Sequence, residues 1–130
     1  MPRPWRWPAA SSARRARSAK PEQRPWEAEA ENWVRRARTP GHDSYWYYSP
    51  AFFDAIVPDP FGLTLEVGCG EGRVARDLLR RGHRVVAVDS SPTLLRYARS
   101  ADPASAYLLA DAAMLPFAAG SFDLVVQAVG

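Results

Sequence analysis

The chain has 130 residues, 47% of them apolar and 24% charged, the balance of an ordinary globular protein, and one cysteine, Cys69, which excludes a disulfide within it. No stretch approaches the ~18 consecutive apolar residues that cross a bilayer, and cysteine usage of this kind suits a reducing, cytoplasmic setting. The net charge of +3 is unevenly spread: residues 1–40 carry ten Lys and Arg against four Glu, and residues 41–130 carry seven Arg against ten Asp and Glu. The basic character therefore belongs to the N-terminus, and the acidic remainder is a poor surface for nucleic-acid phosphates.

Residues 1–25, MPRPWRWPAASSARRARSAKPEQRP, hold five prolines and no regular apolar period, and read as a disordered basic tail. Trp5 and Trp7 among those charges would suit a nucleic-acid or membrane surface, although a solvated tail is the simpler reading. The first twenty residues are Arg- and Ser-rich without acids, as transit peptides are. The Arg14–Arg15 pair has no apolar segment behind it, which argues against a secretion signal.

Residues 26–38 read as a helix, with Trp26, Ala30, Trp33, Val34 and Ala37 on one face and Glu31 placed four residues before Arg35 for a surface pair. Thr39-Pro40-Gly41 ends it. Residues 42–60 are dense in aromatics (Tyr45, Trp46, Tyr47, Tyr48, Phe52, Phe53), which predicts a short helix packed on a core and is compatible with a lid over a ligand. Together, residues 26–61 form a predicted helical cap.

From Leu63 strands and helices alternate. Leu63–Val67 is a short β-rich run. Over 73–81, Val74, Ala75, Leu78 and Leu79 share one helical face, opposite Arg73, Arg76, Asp77, Arg80 and Arg81, and Gly82 is placed as a C-cap. Arg84–Asp89 is a buried-type strand. Ser91 and Pro92 open a helix to about Ser100. Residues 106–111 and 122–129 are two further strands. This order predicts parallel βαβ units with both sheet faces covered, over a unit spanning 62–130. No internal repeat is visible.

The segment LTLEVGCGEGRVARDLL, residues 63–79, breaks between strand and helix into Gly68, Gly70 and Gly72. Without Cβ atoms the backbone there can turn sharply and approach a ligand closely, and the helix that follows directs free N–H groups and a positive dipole end toward it. The spacing, G-x-G-x-G with Glu66 two residues ahead, differs from the dinucleotide fingerprint G-x-G-x-x-G. Asp89 closes the second strand, where a carboxylate can accept from ribose hydroxyls or cap the next helix. Asp111 closes the third, where a carboxylate can accept from an adenine amine. A carboxylate-binding turn, a ribose acceptor and an adenine acceptor in this order describe a site for a nucleoside that bears an amino acid. No His, Cys and Asp cluster has metal-ligand spacing.

LEVGCGEGR, VVAVDSSPTLL and LLADAAMLPFAAGSFDLVV resemble, in order, the successive motifs of the class I S-adenosylmethionine-dependent methyltransferases, in particular the methyltransferase type 11 group, over about residues 62–129. ENWVRRARTPGHDSYWYYSPAFF resembles their N-terminal helical cap. The resemblance implies a Rossmann-like α/β fold with a parallel sheet. It implies S-adenosylmethionine as cofactor, with Glu66, Gly68, Cys69 and Gly70 around its methionine moiety. Asp89 would hold the ribose hydroxyls, with Ser90 close by. Asp111 would take the adenine amine, the Ala112 N–H would face the ring, and Gln127 would lie near the transferring methyl. Cys69 holds a variable slot, so it is expected to line the turn and not to act as a nucleophile; His83, in the link RRGHR, is expected to be a surface loop residue. No residue stands out as a general base.

The family sheet has seven strands, ordered 3-2-1-4-5-7-6, and this chain matches about four of them. The expectation is a C-terminally truncated half-domain, part of a longer product or in need of another chain, with the fourth strand as an open apolar edge that invites pairing. The acceptor is expected to be a small molecule. A non-catalytic binding or dimerising remnant and a nicotinamide-dependent oxidoreductase half are the alternatives. A nucleic-acid methyltransferase using the basic tail ranks below both, and no membrane partner is expected.

Overall fold

The computed structural model describes residues 27–127, so the basic tail, Trp26 and the end of the predicted fourth strand lie outside the described residues. Two N-terminal helices, α1 (Ala30–Arg38) and α2 (Tyr45–Ala55), precede β1 (Leu63–Val67), α3 (Arg73–Arg80), β2 (Arg84–Asp89), α4 (Pro92–Ala101), β3 (Ala106–Leu109) and β4 (Leu124–Val126). The four strands form one sheet in the order β3-β2-β1-β4, and every pairing is parallel. This is the expected partial Rossmann-like architecture. At its centre Leu65 lies opposite Val86 on one side and Val125 on the other.

Both strand-to-strand helices lie on the same sheet face. Val74, Ala75 and Leu78 of α3 and Leu95 and Ala98 of α4 pack with Val85, Ala87, Tyr107 and Val126, and Tyr45 and Phe53 of α2 join them. The cause is topological: the crossovers from β1 to β2 and from β2 to β3 step in the same direction across the sheet, and crossovers of one hand then put both helices on one side. Both faces are covered, as expected, but among the described residues only one of them by helices. The second face (Leu65, Val67, Val86, Val88 and Ala110) is covered by Leu115, Phe117 and Phe122 of the irregular segment 110–123, with the two phenylalanine rings edge to face at 4.9 Å.

Local chemistry explains the ends of the elements. Ser91 Oγ accepts from Leu94 N–H at 3.1 Å and Pro92 fills the first turn of α4, as expected. Gly82, at φ +93°, lets the chain leave α3, while its N–H and that of His83 reach back to the carbonyls of Leu79 and Leu78. The third strand stops at Leu109, short of 111, because Asp111 turns the chain by accepting from Ala113 N–H at 2.9 Å. The fourth starts at Leu124, because Asp123 meets Leu63 through its carboxylate (2.8 Å) and its N–H (2.9 Å) before regular pairing begins. Among the described residues β4 is bonded to β1 alone, with Val125 59% exposed.

Two further expectations change. His83 is buried at 5% exposure, not a surface loop residue, and its Nδ1 lies 3.3 Å from Thr64 Oγ1. The bond from its N–H to Leu78 folds it under the sheet, where Thr64 is an available partner. Glu31 does not pair with Arg35: it accepts from the Tyr97 hydroxyl and faces Arg96 at 3.5 Å, both on α4, while Arg35 donates to Asn32. The polar face of α3 makes contacts of its own. Arg73 pairs with Asp43 at 2.7 Å and lies over Tyr45 and Trp33, the Tyr45 hydroxyl donates to Asp77, and Arg81 pairs with Asp54 at 2.9 Å over Phe53. It is the seat of the N-terminal helices.

Gly62 gives a test of the β1–β4 junction. A Cβ there would stand 2.0 Å from Asp123 Oδ2 and 2.9 Å from Asp123 Cβ, too close for side-chain rotation alone to relieve. Gly62→Ala should cost roughly 1–3 kcal/mol of stability in urea denaturation. Asp123→Ala should cost less, and the double substitution should cost clearly less than the sum of the two. Additive costs would show that the two residues do not share that space.

Candidate functional site

The glycine turn is built on the end of β2. The Val88 carbonyl accepts from both Gly68 and Cys69 N–H at 2.9 Å. One residue on, the Asp89 carboxylate accepts from Gly70 N–H through Oδ1 and from Ser91 N–H through Oδ2, each at 3.0 Å. Of the two roles that its sequence position allowed, the bond from Ser91 N–H carries one, tying Asp89 to the start of α4; the bond from Gly70 N–H adds one that was not expected, fixing the turn. Gly72 N–H closes the loop on the Cys69 carbonyl at 3.0 Å, and α3 starts with no side-chain cap on its first amides.

The glycines are required for different reasons. Gly68, at φ +75°, has nothing within 4 Å of where a Cβ would stand, so this edge of the backbone is bare toward the site. At Gly72 a Cβ would meet Arg76 Nη1 and Tyr107 Oη at 3.1 Å and Ala98 Cβ at 3.3 Å, so its small size serves the packing of α3 against α4 and β3.

Above the turn lies a cavity of about 330 Å3 at the carboxyl ends of the strands, within the range of small-molecule sites. Sheet order places it beside the switch point between β1 and β4, where open α/β sheets bind ligands. Of the residues singled out in the sequence, Glu66, Gly68, Cys69, Gly70, Asp89, Ser90 and Gln127 line it. Asp111 and Ala112 do not; they open the crossing segment at the end of β3, beyond Leu109, which pairs with Asp89. Sequence reasoning missed Arg73 as a wall residue and did not specify Trp33, Tyr45 and Tyr48. The aromatic density of 42–60 pointed to the last two. Nothing local pointed to Arg73, whose partners lie about 30 residues earlier in the chain.

The electrostatics centre on Glu66. It lies on the helix-covered face of β1 at 2% exposure, and Oε2 has no hydrogen-bond partner among the described residues. Burial, and then the nearby Asp89 carboxylate, push its pKa to about 8, with Arg76 and Arg73 opposing. Burial also raises Asp89, against the N–H bonds from Ser91 and Gly70 that favour its charged form. The Cys69 thiol is pushed well up by burial and by Glu66 and Asp89, which keeps it a neutral wall group. Glu71, 1% exposed inside the turn, is compensated by Arg76 at 2.7 Å and Arg38 at 3.0 Å. Glu27 reaches the N-terminus of α4, accepting from the Ser91 and Thr93 hydroxyls and from Thr93 N–H at 3.3 Å. Burial alone would raise its pKa, and those hydroxyl bonds leave it lowered. Among the described residues no group of His, Cys, Asp and Glu could hold a metal ion.

A glycine turn, an acid at the end of the adjacent parallel strand and a cavity over both stand together at the carboxyl edge of an open α/β sheet. Residues 65–129 match the family profile described as "Methyltransferase domain", and the chain belongs to that family. It is 44% identical over 74 residues to a malonyl-[acyl-carrier protein] O-methyltransferase of Salmonella typhimurium, covering 57% of this chain and 30% of that protein. To a demethylmenaquinone methyltransferase of Beutenbergia cavernae it is 34% identical over 90 residues, 69% of this chain and 37% of the relative. The crystal structure of a TehB-like SAM-dependent methyltransferase from Corynebacterium glutamicum superposes with a TM-score of 0.63 at 31% identity, over 78% of this chain and 55% of that one. The chain spans about a third of the length of the curated relatives it matches.

Glu66 gives a pH test. Its pKa rises from 4.5 in the unfolded chain to about 8 in the fold, so between these values the folded state holds a proton that the unfolded state has lost. This group's contribution to stability is therefore full below about pH 4.5 and is lost as pH rises toward 8, at up to about 1.4 kcal/mol per pH unit. Urea titrations at pH 5, 6.5 and 8 should show wild type losing stability relative to Glu66→Gln as pH rises. A constant difference would mean that Glu66 is already ionised in the fold.

Proposed function

We propose that this chain forms the cofactor-binding half of an S-adenosylmethionine-dependent methyltransferase that acts on a small-molecule acceptor in the cytoplasm. The observation that carries the reading is the pairing of Asp89 with the bare Gly68 edge on one cavity: an acceptor for two hydroxyls beside a backbone that a ligand can approach closely. The fit extends to Glu66, whose buried, unpartnered Oε2 suits a donor such as the ammonium of an amino-acid moiety.

S-adenosylmethionine, when bound, supplies a methyl group already activated by a positively charged sulfur. The work left to the protein is to hold, orient and dry the site. Glu66, Gly68, Cys69 and Gly70 would surround the methionine part, Asp89 would accept from the ribose hydroxyls with Ser90 beside it, and Gln127 would lie near the methyl. Asp111 and the Ala112 N–H, just outside the cavity, would reach the adenine from the end of β3. Trp33, Tyr45 and Tyr48 exclude water from the side of the N-terminal helices. The acidic balance of residues 41–130 favours a small acceptor over nucleic acid, and no described helix is long and apolar enough to cross a membrane. The relatives named above act, by their names, on a carrier-bound malonyl group and on demethylmenaquinone, so cofactor-site likeness does not select the acceptor. The one-sided β4 edge suits pairing with further strands or with another chain.

Calorimetric titration tests the reading. S-adenosylhomocysteine should bind the purified chain saturably, NAD should not, and Asp89→Ala should weaken binding tenfold or more, as loss of charge-assisted hydrogen bonds predicts. A folded chain that binds NAD in preference, or binds neither nucleotide, would overturn it.

A further inference from the structure

We propose a second binding site, distinct from the cavity at the strand ends: an arginine-lined groove between α1, α2 and α3 that takes the phosphate of a small phosphate-bearing molecule, with the organic part of that molecule on Trp46. It does not rest on the cofactor reading above.

The groove has a volume of about 490 Å3, the size of a small-molecule site and not of an extended interface. Arg73 and Tyr45 line both spaces and so stand between them, but the charge on the two sides is opposite. In the cavity, Glu66, Glu71 and Asp89 face one arginine. In the groove, Arg38, Arg73, Arg76 and Arg80 face one carboxylate, that of Asp77. Both oxygens of Asp77 are already taken, Oδ1 by Arg80 Nη1 and Oδ2 by the Tyr45 hydroxyl. The acids that compensate the other three arginines are not part of the groove lining: Glu71 holds Arg38 at 3.0 Å and Arg76 at 2.7 Å, and Asp43 holds Arg73 at 2.7 Å. These bonds fix the guanidinium groups before any ligand arrives, which lowers the cost of binding one. Donors are left over: among the described residues Arg80 Nε and Nη2, Arg76 Nε and Arg38 Nη1 have no partner. Several converging guanidinium donors suit a phosphate, which offers three acceptor oxygens, better than a lone carboxylate. Trp46, 44% exposed, and Pro50 supply an apolar wall beside these donors, where the organic part of such a molecule can lie.

Phenyl phosphate, an aromatic phosphomonoester, and inorganic phosphate are the probes, each titrated calorimetrically into the full chain at fixed ionic strength, with thermal unfolding of every variant alongside. Phenyl phosphate should bind saturably and more tightly than inorganic phosphate. Arg80 lines the groove but not the cavity, is 68% exposed, and bonds only Asp77 among the described residues, so its loss should cost little stability. Arg80→Gln should weaken phenyl phosphate roughly tenfold, as removal of one charge-assisted contact predicts. Arg96→Gln removes the same charge from an equally exposed side chain of α4 outside the groove, and should leave the affinity unchanged. Trp46→Ala should bring phenyl phosphate down to the affinity of inorganic phosphate. Chain saturated with S-adenosylhomocysteine should bind phenyl phosphate as the free chain does. No binding of either probe to the folded chain, or equal weakening by Arg80→Gln and Arg96→Gln, would overturn the site, since net charge alone would then carry any attraction. Displacement of phenyl phosphate by S-adenosylhomocysteine would overturn it by moving the probe to the cavity. Equal affinity of the two probes for wild type would overturn the place given to the organic part and leave a site for the free ion. Failure of S-adenosylhomocysteine to bind would sink the cofactor reading alone, because the Arg80 and Arg96 variants still decide the groove.

Discussion

The site depends on how the end of β2 holds the end of β1. Parallel strands leave their last carbonyls and amides unpaired at the carboxyl edge, and here those groups bond to one another. One carbonyl, that of Val88, accepts two successive amides of the turn, and the carboxylate of the next residue accepts a third. Three backbone N–H groups that would otherwise need water are satisfied within a few ångströms. The turn is therefore rigid without any side chain of its own, and this leaves the Gly68 edge bare. The same Asp89 carboxylate reaches forward to Ser91, so the start of α4 is tied to the same point.

Around that fixed turn the protein places more charge than a core normally tolerates. Glu66 and Glu71 are both almost fully buried, but they are treated differently. Glu71 has two arginines and is a structural ion, one whose removal would leave two cations without their partner. Glu66 has no such compensation, and burial raises its pKa instead. A buried polar atom left without a partner is costly in a fold and common at a binding site, where the ligand completes it.

The N-terminal helices belong to this electrostatic arrangement. α1 packs through Ala30 and Val34 on Leu94 of α4, and Arg38 reaches both Glu71 and the Tyr97 carbonyl. α2 is seated on α3 by Asp43, Tyr45, Phe53 and Asp54. The two arginines that seat α2, Arg73 and Arg81, stand at the start of the helix that follows the glycine turn and just past its end. The aromatic wall of the cavity and the turn beneath it are therefore mechanically connected.

Much of the sheet was legible in the sequence because its information is local. Alternation of β-rich runs with short amphipathic segments fixes four parallel strands, Ser91-Pro92 and Gly82 mark helix ends by their own chemistry, and three glycines between Val67 and Arg73 announce a ligand turn with Glu66 and Asp89 at its edges. What lay beyond the sequence depends on which distant groups meet. His83 reads as a loop residue until its N–H turns it toward Thr64. Glu31 and Arg35 read as a helical pair until α4 offers Tyr97 and Arg96. Arg73 reads only as one of five polar residues opposite the apolar face of its helix until Asp43, Tyr45 and Trp33 close over it. Sequence by itself determined the elements, the sheet class and the cofactor-type turn, because spacing and backbone chemistry act over a few residues. Only the tertiary structure decided which charges are buried and which are paired, because burial and pairing depend on desolvation and on partners from other elements of the fold.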